Sequence, residues 1–506
     1  MTTISERFKL GSLFWLTAIF SSALLLPRLS GLLSGTALWE DWGHPPVVHL
    51  ESYRPIAAAE LALMRGLFGS DYLIGIAPWF VATLYLAFGL ALMVRLLSQW
   101  GIDSRVPVVL GVILALHPMF NEFLNWHVLS SSWLAVPLSA LGVWLAIEPN
   151  RVWPRLMGLV LIALAGATSQ LAVMLPAMLV LGELLHLGVK RFVTLDRARL
   201  LWRLAAVAVA PLAGLMVLFV LRFGFGYFDF AGRSVGLGEA SVASWAASKF
   251  YVVSNAIANL YQAPTGLVAG QKVALSAFWW VILIVGLAVI GIAFADRGSL
   301  VDRLLRGLAV PAAFLLSLTP LLATPATPTG YRVIAFATIG AWFAGSVVFA
   351  RLTEARPLVG RLGGAVVALI AVVFLLSSSV DQRVRNEAFA RDLEAREELV
   401  RVLRSHGVES LVVCELPSPA EKSPADGRGI IVSYNLMTVD RYSNFRLPYG
   451  FLAAYRIGLR SVTLKSRDND GCMDAGRGNG VGVDLAAGRL LLSESSPRSA
   501  MLLVGR

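Results

Sequence analysis

Charge is what this chain has least of. Only 15% of its 506 residues are Asp, Glu, Lys or Arg, while 57% are hydrophobic and the mean hydropathy is +0.70. A soluble protein carries about 25% charged residues, so a soluble globular enzyme is excluded. Cysteine is nearly missing as well. Two residues, Cys414 and Cys472, exclude a disulfide scaffold and a Cys-rich metal site, and leave room for one disulfide. The chain also lacks a Walker A sequence, a GxGxxG ahead of a helix, an HExxH and a GxSxG elbow. Those absences disfavour an ATP-driven pump, a Rossmann enzyme and a serine hydrolase. Acidic residues are scarce inside the apolar runs, where Glu183 sits at a cytoplasmic end. Ion-coupled carriers usually need intramembrane ionisable groups, so this scarcity weighs against a carrier.

Apolar runs fill the space that charge leaves. They lie at Leu10–Leu26 and near 73–94, 106–117, 128–147, 156–168, 171–187, 204–222, 275–294, 307–322, 331–349 and 362–379. A helix of about 20 apolar residues crosses a bilayer, so the sequence predicts about eleven transmembrane helices. The first run is read as a retained span, because no small-residue cleavage site follows it. The short pair 156–168 and 171–187 meets at Ala167-Thr168-Ser169-Gln170. It reads as a helical hairpin or broken helices, an irregularity tolerated only under cover of protein or a water-filled cavity.

Basic residues set the orientation. With a cytoplasmic N-terminus, the inside segments hold 17 Lys and Arg, and the longer outside loops hold 8, among them Arg28, Arg54 and Arg65. Residues 380–506 then fall outside, in a periplasm or its equivalent. The net charge of +11 is thus mostly a topology signal rather than a nucleic-acid footprint, and no nucleic-acid partner is expected. Two domains follow, a membrane domain over 1–379 and a small extracytoplasmic α/β domain over 380–506. In the tail, Asp381–His406 is a charged amphipathic helix with Phe389, Leu393, Leu399, Val402 and Leu403 as its stripe, ended by Gly407. Ser410–Cys414, Gly429–Ser433 and Ser461–Lys465 read as strands. Both cysteines lie there, either as a disulfide in an oxidising compartment or as two unpaired thiols.

With acids scarce, those in the outer loops are informative. The first loop holds Glu40, Asp41, His44, His49, Glu51 and Arg54, with Trp39 and Trp42, within sixteen residues. After it, Pro55–Phe68 has Ile56, Ala59, Leu63 and Leu67 at helical spacing, which predicts an amphipathic helix along the outer interface. A carboxylate pair at a membrane surface can serve as general base toward a sugar hydroxyl. The tryptophans offer flat platforms for sugar faces, and Arg54 suits a phosphate leaving group. The plain alternative is a solvated acidic loop with an interfacial aromatic belt. The second outer loop runs from His117 through Pro118, Phe120, Asn121, Glu122 and Asn125 to Trp126 and His127. Its histidine spacing matches no zinc pattern, so ligand binding, polar lining and helix capping stay open. Gln170 at the hairpin tip lines a cavity or caps a helix. Arg332, at the outer mouth of a late span, either snorkels to the interface or clamps a lipid phosphate. The long outer loop 223–274, with Asp229, Arg233, Tyr251, Tyr261 and Gln262, is large enough to cover a cavity or guide a lipid tail.

In order, these features resemble the GT-C superfamily of multi-span glycosyltransferases, and within it the bacterial O-antigen glucosyltransferases of the GtrII type. The likeness rests on Glu40-Asp41 after the first span and on Arg54-Pro55 ahead of an apolar helix. It rests further on Pro118-Met119-Phe120-Asn121-Glu122, Ser169-Gln170 and a late Arg332. This chain has Glu-Asp where the family tends to show two aspartates, and Tyr53-Arg54-Pro55 where it tends to show Gly-Arg-Pro.

The resemblance implies Asp41 as catalytic carboxylate with Glu40 beside it. Arg54 and Arg332 would sit on the donor phosphate, and His44, Glu51, His117, Glu122, Trp126 and Gln170 would line the donor and acceptor positions. It implies a polyprenyl-phosphate sugar donor, a cell-surface glycan acceptor and a hexose, glucose first among them. The setting would be a bacterial inner membrane, with lipopolysaccharide O-antigen modification as the context. No metal ligand is assigned and no cofactor is required, although Glu40, Asp41 and His44 could hold one Mg or Mn ion. The rival class is a non-catalytic transporter or assembly subunit for lipid-linked glycans.

Overall fold

The computed structural model describes residues 10–30, 54–69, 76–125, 127–147, 151–225, 298–322, 331–355, 357–415, 461–466, 481–485, 488–492 and 499–504, with a few isolated positions between them. The expected span near 275–294 and strand at Gly429–Ser433 lie outside these residues, as does Cys472.

Helices dominate. They are α1 Leu10–Leu25, α2 Pro55–Phe68, α3 Ala77–Gln99, α4 Arg105–Leu116, α5 Met119–Asn125, α6 Ala135–Ile147, α7 Val152–Thr168 and α8 Leu175–Leu187. After the one-turn α9 Val189–Val193 come α10 Arg197–Phe219, α11 Leu300–Ser317, α12 Thr319–Leu322, α13 Tyr331–Ala355 and α14 Pro357–Ser405. Among the described residues, six helical stretches are long and apolar enough to cross a membrane, and three shorter apolar helices accompany them. The chain is a multi-pass helical membrane protein.

Local chemistry explains several boundaries. Pro55 starts α2 where its missing N–H costs nothing. Gly69, at φ +93°, ends it and donates its N–H to the Arg65 carbonyl at 2.9 Å. The expected break between 168 and 171 is present: α7 stops at Thr168, Ser169 is extended, and a 3-10 turn Gln170–Ala172 leads into α8.

Small residues let the helices approach, as is usual where lipid removes the hydrophobic drive for association. A Cβ at Gly158 would meet the Ala146 amide and the Gly142 carbonyl at 2.6 Å, which fixes α6 against α7, and one at Gly166 would strike the Ala210 carbonyl of α10. The interior is closed by Phe120, Trp133 and Phe336, with ring centroids 5.8 and 5.1 Å apart along that series. Large apolar side chains of α10 and α14, such as Leu212, Met216, Leu369 and Leu376, point outward, as lipid contact requires.

α14 joins what the sequence reads as a span and a separate tail helix. It runs unbroken through residue 380 and ends in a Schellman arrangement, in which the Gly407 N–H (φ +58°) reaches the Arg404 carbonyl and the Val408 N–H the Leu403 carbonyl. Beyond it stand β1 Ser410–Glu415, β2 Ser461–Ser466, β3 Val481–Leu485, β4 Gly488–Leu492 and β5 Ser499–Val504, in the order β2-β1-β5-β4-β3. β1 lies parallel to β2 and β5, with Ser410 opposite Ser461 and Ser499; β4 is antiparallel to both β5 and β3. Two of these strands are where the sequence puts them. β3, β4 and β5 are additional.

Candidate functional site at one end of the bundle

Four elements meet at the end of the bundle that the charge pattern assigns to the outside. α2 packs against α7 and against the 3-10 helix His127–Leu134, and α5 and the turn at Gln170 both touch α13. One contact on α13 lies about two turns in from its start, where the Thr338 hydroxyl is 3.4 Å from the Met119 sulfur.

α2 brings in a carboxylate that the sequence reading passed over. Its stripe Ala59, Leu63 and Leu67 faces away from the protein, and the face made of Ala57, Ala58, Glu60 and Leu61 is the one packed inside. Glu60 is only 7% exposed. Its Oε1 accepts from the Tyr85 hydroxyl of α3 at 3.0 Å, and its Oε2 accepts from the Ser131 hydroxyl of the 3-10 helix. Burial pushes its carboxyl above the usual range, and those two hydrogen bonds counter only part of the rise. Tyr72 is pushed up by burial first and by Glu60 second, with Ser130 beside it.

A second polar cluster lies where α1, α4, α5 and α14 converge. Arg28, which the charge count places in an outside segment, is fully buried. It donates to the carbonyls of Leu24, Ala115 and His117, at 2.5, 3.1 and 2.8 Å, and so closes the open C-terminal carbonyls of α4. His117 is buried, its Nδ1 accepts the Met119 N–H at 3.1 Å, and its ring meets Phe374 edge-on at 4.6 Å. From α5, the Asn121 amide donates to the Ser378 carbonyl at 2.8 Å and to Asp381 Oδ2 at 2.7 Å. The Ser378 hydroxyl returns a 2.7 Å bond to Asn121 Oδ1.

The residues expected from sequence fall as follows. Arg54 is half-buried at the N-cap of α2, and Gln170 is half-buried at the hairpin turn. His117 belongs to the buried cluster just described. Glu122 and Arg332 lie on α5 and on the first turn of α13, with their side chains outside the described residues. Asp41, Glu40, His44, Glu51 and Trp126 also lie outside them, and so does the possible ion-binding trio of Glu40, Asp41 and His44. Among the described residues no group of three His, Cys, Asp or Glu could hold a metal. Glu60 and Asp381 are the acids that sequence reasoning missed. The signal for Glu60 was present: it stands among Ala57, Ala58 and Leu61, and in a membrane protein small residues mark the packed face. Asp381 gave none, since its partner is 260 residues away.

No protein-family model matches the chain, and no curated protein matches it significantly. Among solved structures, the crystal structure of ArnT from Cupriavidus metallidurans bound to undecaprenyl phosphate is similar over 88% of this chain and 89% of its own. The sequence identity is 13% and the TM-score 0.44, a likeness that assigns neither a family nor a role.

Proposed function

We propose that the chain is a GT-C-type glycosyltransferase that moves a hexose, glucose first among the candidates, from a polyprenyl-phosphate carrier to a cell-surface glycan. In this reading residues 1–379 form the catalytic membrane domain of a bacterial inner-membrane enzyme, and 380–506 form an extracytoplasmic α/β domain. The observation that supports it most is the gathering of α2, α5, the Gln170 turn and α13 at one end of the bundle. Those elements carry or directly follow the first loop, Arg54, Glu122, Gln170 and Arg332.

The chemistry assigned to these residues is an inverting displacement. Asp41 deprotonates the acceptor hydroxyl while that oxygen attacks the anomeric carbon from the face opposite the phosphate. Polyprenyl phosphate departs as an anion that needs no proton, and Arg54 and Arg332 hold it by charge and paired hydrogen bonds. Glu40, Glu51 and His44 orient Asp41 or the acceptor, and His117, Glu122, Trp126 and Gln170 line the two substrates.

The test is transfer of labelled glucose from undecaprenyl-phospho-glucose into glycan in membranes that hold either the native chain or Asp41→Asn. Near-complete loss with normal membrane insertion is the expected result. Normal transfer by Asp41→Asn would overturn the mechanism and favour the rival, a lipid-linked glycan transporter or assembly subunit without catalysis. That rival has one observation on its side, the buried Glu60 beside a span, since ionisable groups held within a bundle often mark transport pathways.

A further inference from the structure

Residues 119–134, the short α5 and the 3-10 helix, form a segment tied at both ends by buried acids. At one end Ser131 is bonded to Glu60, which also takes the Tyr85 hydroxyl. The Glu60 helix is the one that Arg54 caps. At the other end Asn121 is bonded to Asp381 and, twice, to Ser378. Glu60 is 7% exposed, Asp381 3% and Asn121 0%, so water cannot substitute for a lost partner. Near its two ends, Phe120 and Trp133 pack ring against ring, and Trp133 packs on Phe336 of α13; such contacts resist separation more than sliding. Hydrogen bonds at two fixed points supply the missing directionality.

We propose that Glu60 and Asp381 are positioning residues that fix the 119–134 segment, which carries Glu122, against the Arg54-capped helix and α14. This rests on the glycosyltransferase reading for its kinetic consequence, but its structural content stands apart from that reading. A short helix followed by a 3-10 helix has little intrinsic stability, so its place must come from tertiary bonds, and the two acids supply them from opposite sides. Loss of either acid should let the segment shift. A shift of about 1 Å at a reacting group can cost about a hundredfold in rate.

The experiment uses the full-length chain in nanodiscs and four variants: Glu60→Ala, Glu60→Gln, Asp381→Ala and Asp381→Asn. Amide hydrogen exchange is read by mass spectrometry, and transfer from undecaprenyl-phospho-glucose is read in parallel. In Glu60→Ala the 127–134 amides should exchange about tenfold faster, and in Asp381→Ala the 119–125 amides should do so, with the other helices unchanged. Turnover should fall about tenfold or more in both, with KM for the donor little altered. Glu60→Gln and Asp381→Asn keep an oxygen for the hydroxyl or amide donor and should restore both readouts to near native. Unchanged exchange in the alanine variants would overturn the proposal. So would faster exchange with native turnover, which would make the bonds a brace without effect on the site. If the native chain transfers no sugar, the glycosyltransferase reading fails and exchange alone decides whether the acids hold the segment.

Discussion

Glu60 and Glu183 are buried to the same degree at opposite ends of the bundle, and they meet that burial in opposite ways. Glu183, on α8, receives Nε of Arg203 at 2.7 Å and Nη2 of the same guanidinium, while Arg203 also donates to the Arg199 carbonyl at 3.0 Å. Among the described residues, Glu60 is met by the hydroxyls of Tyr85 and Ser131. A charge removed from water must be neutralised by a partner or given up. At Glu183 a counter-charge fixes α8 to α10. At Glu60 neutral donors leave the carboxyl able to take a proton. The Glu183–Arg203 pair is a fastening. Glu60 is a responsive group beside the candidate site.

The largest effect should come from breaking the compensated pair. Arg203→Ala leaves Glu183 charged and buried, which costs about 3–5 kcal/mol. It should lower the thermal unfolding temperature in detergent far more than the joint replacement Glu183→Leu with Arg203→Met. If the single and double variants unfold alike, the Glu183–Arg203 pair is not a compensated fastening. Next comes Glu60→Ala, which strands two buried hydroxyls and should cost about 1–3 kcal/mol, with Glu60→Gln closer to native in the same assay.

A pH series sharpens the contrast by sign. Burial raises the folded value of Glu60 above its ordinary 4.5. Its stabilising contribution is therefore complete below that ordinary value and is lost as pH rises through the raised one. Unfolding temperature should decline over that window in the native chain, and Glu60→Gln should flatten the decline. Asp302, which bonds to the Val189 N–H just beyond α8, runs the other way. The Val189 N–H, at 2.8 Å from its Oδ1, and the Ser299 hydroxyl hold it below its ordinary 3.8. Its contribution is present above that ordinary value and is lost as pH falls through the lowered one. Asp302→Ala should therefore show the smallest effect, about 1 kcal/mol near neutral pH, shrinking on acidification. A matching pH slope in Glu60→Gln and Asp302→Ala would erase the distinction between the two ends.

Much of the bundle was legible because its signals are local. Pro55 and Gly69 delimit α2, Thr168-Ser169-Gln170 breaks a helix pair, and Gly407 ends α14. The inward face of α2 was not, because the sequence reading laid the helix along the outer interface by its apolar stripe and left its opposite face unassigned. In a bilayer large apolar side chains face lipid and small ones face other helices, which turns Glu60 inward. Arg28 was counted only as a charge of an outside segment, and that its guanidinium closes the carbonyls of α4 could not be read from the count. Asn121 was visible only as a polar residue in a short loop, since Asp381 and Ser378 lie more than 250 positions away. β3 and β4 carry glycine and charge, which hides them from an apolar-run reading, whereas β5, Ser499–Val504, is free of both and was passed over. Of the candidate site, the sequence named Arg54, His117 and Gln170, but the acids that hold their surroundings in register emerge only from tertiary contacts.

The unbroken α14 has a consequence in reach. At about 1.5 Å per residue, the 25 residues from Asp381 to Ser405 carry the start of the sheet about 37 Å along the helix axis from the Asn121 bond. A flexible tether of that length would let the sheet wander and fold back on itself. A helix anchored at its base sets a standoff, so whatever the sheet engages is met at a distance measured from Asp381.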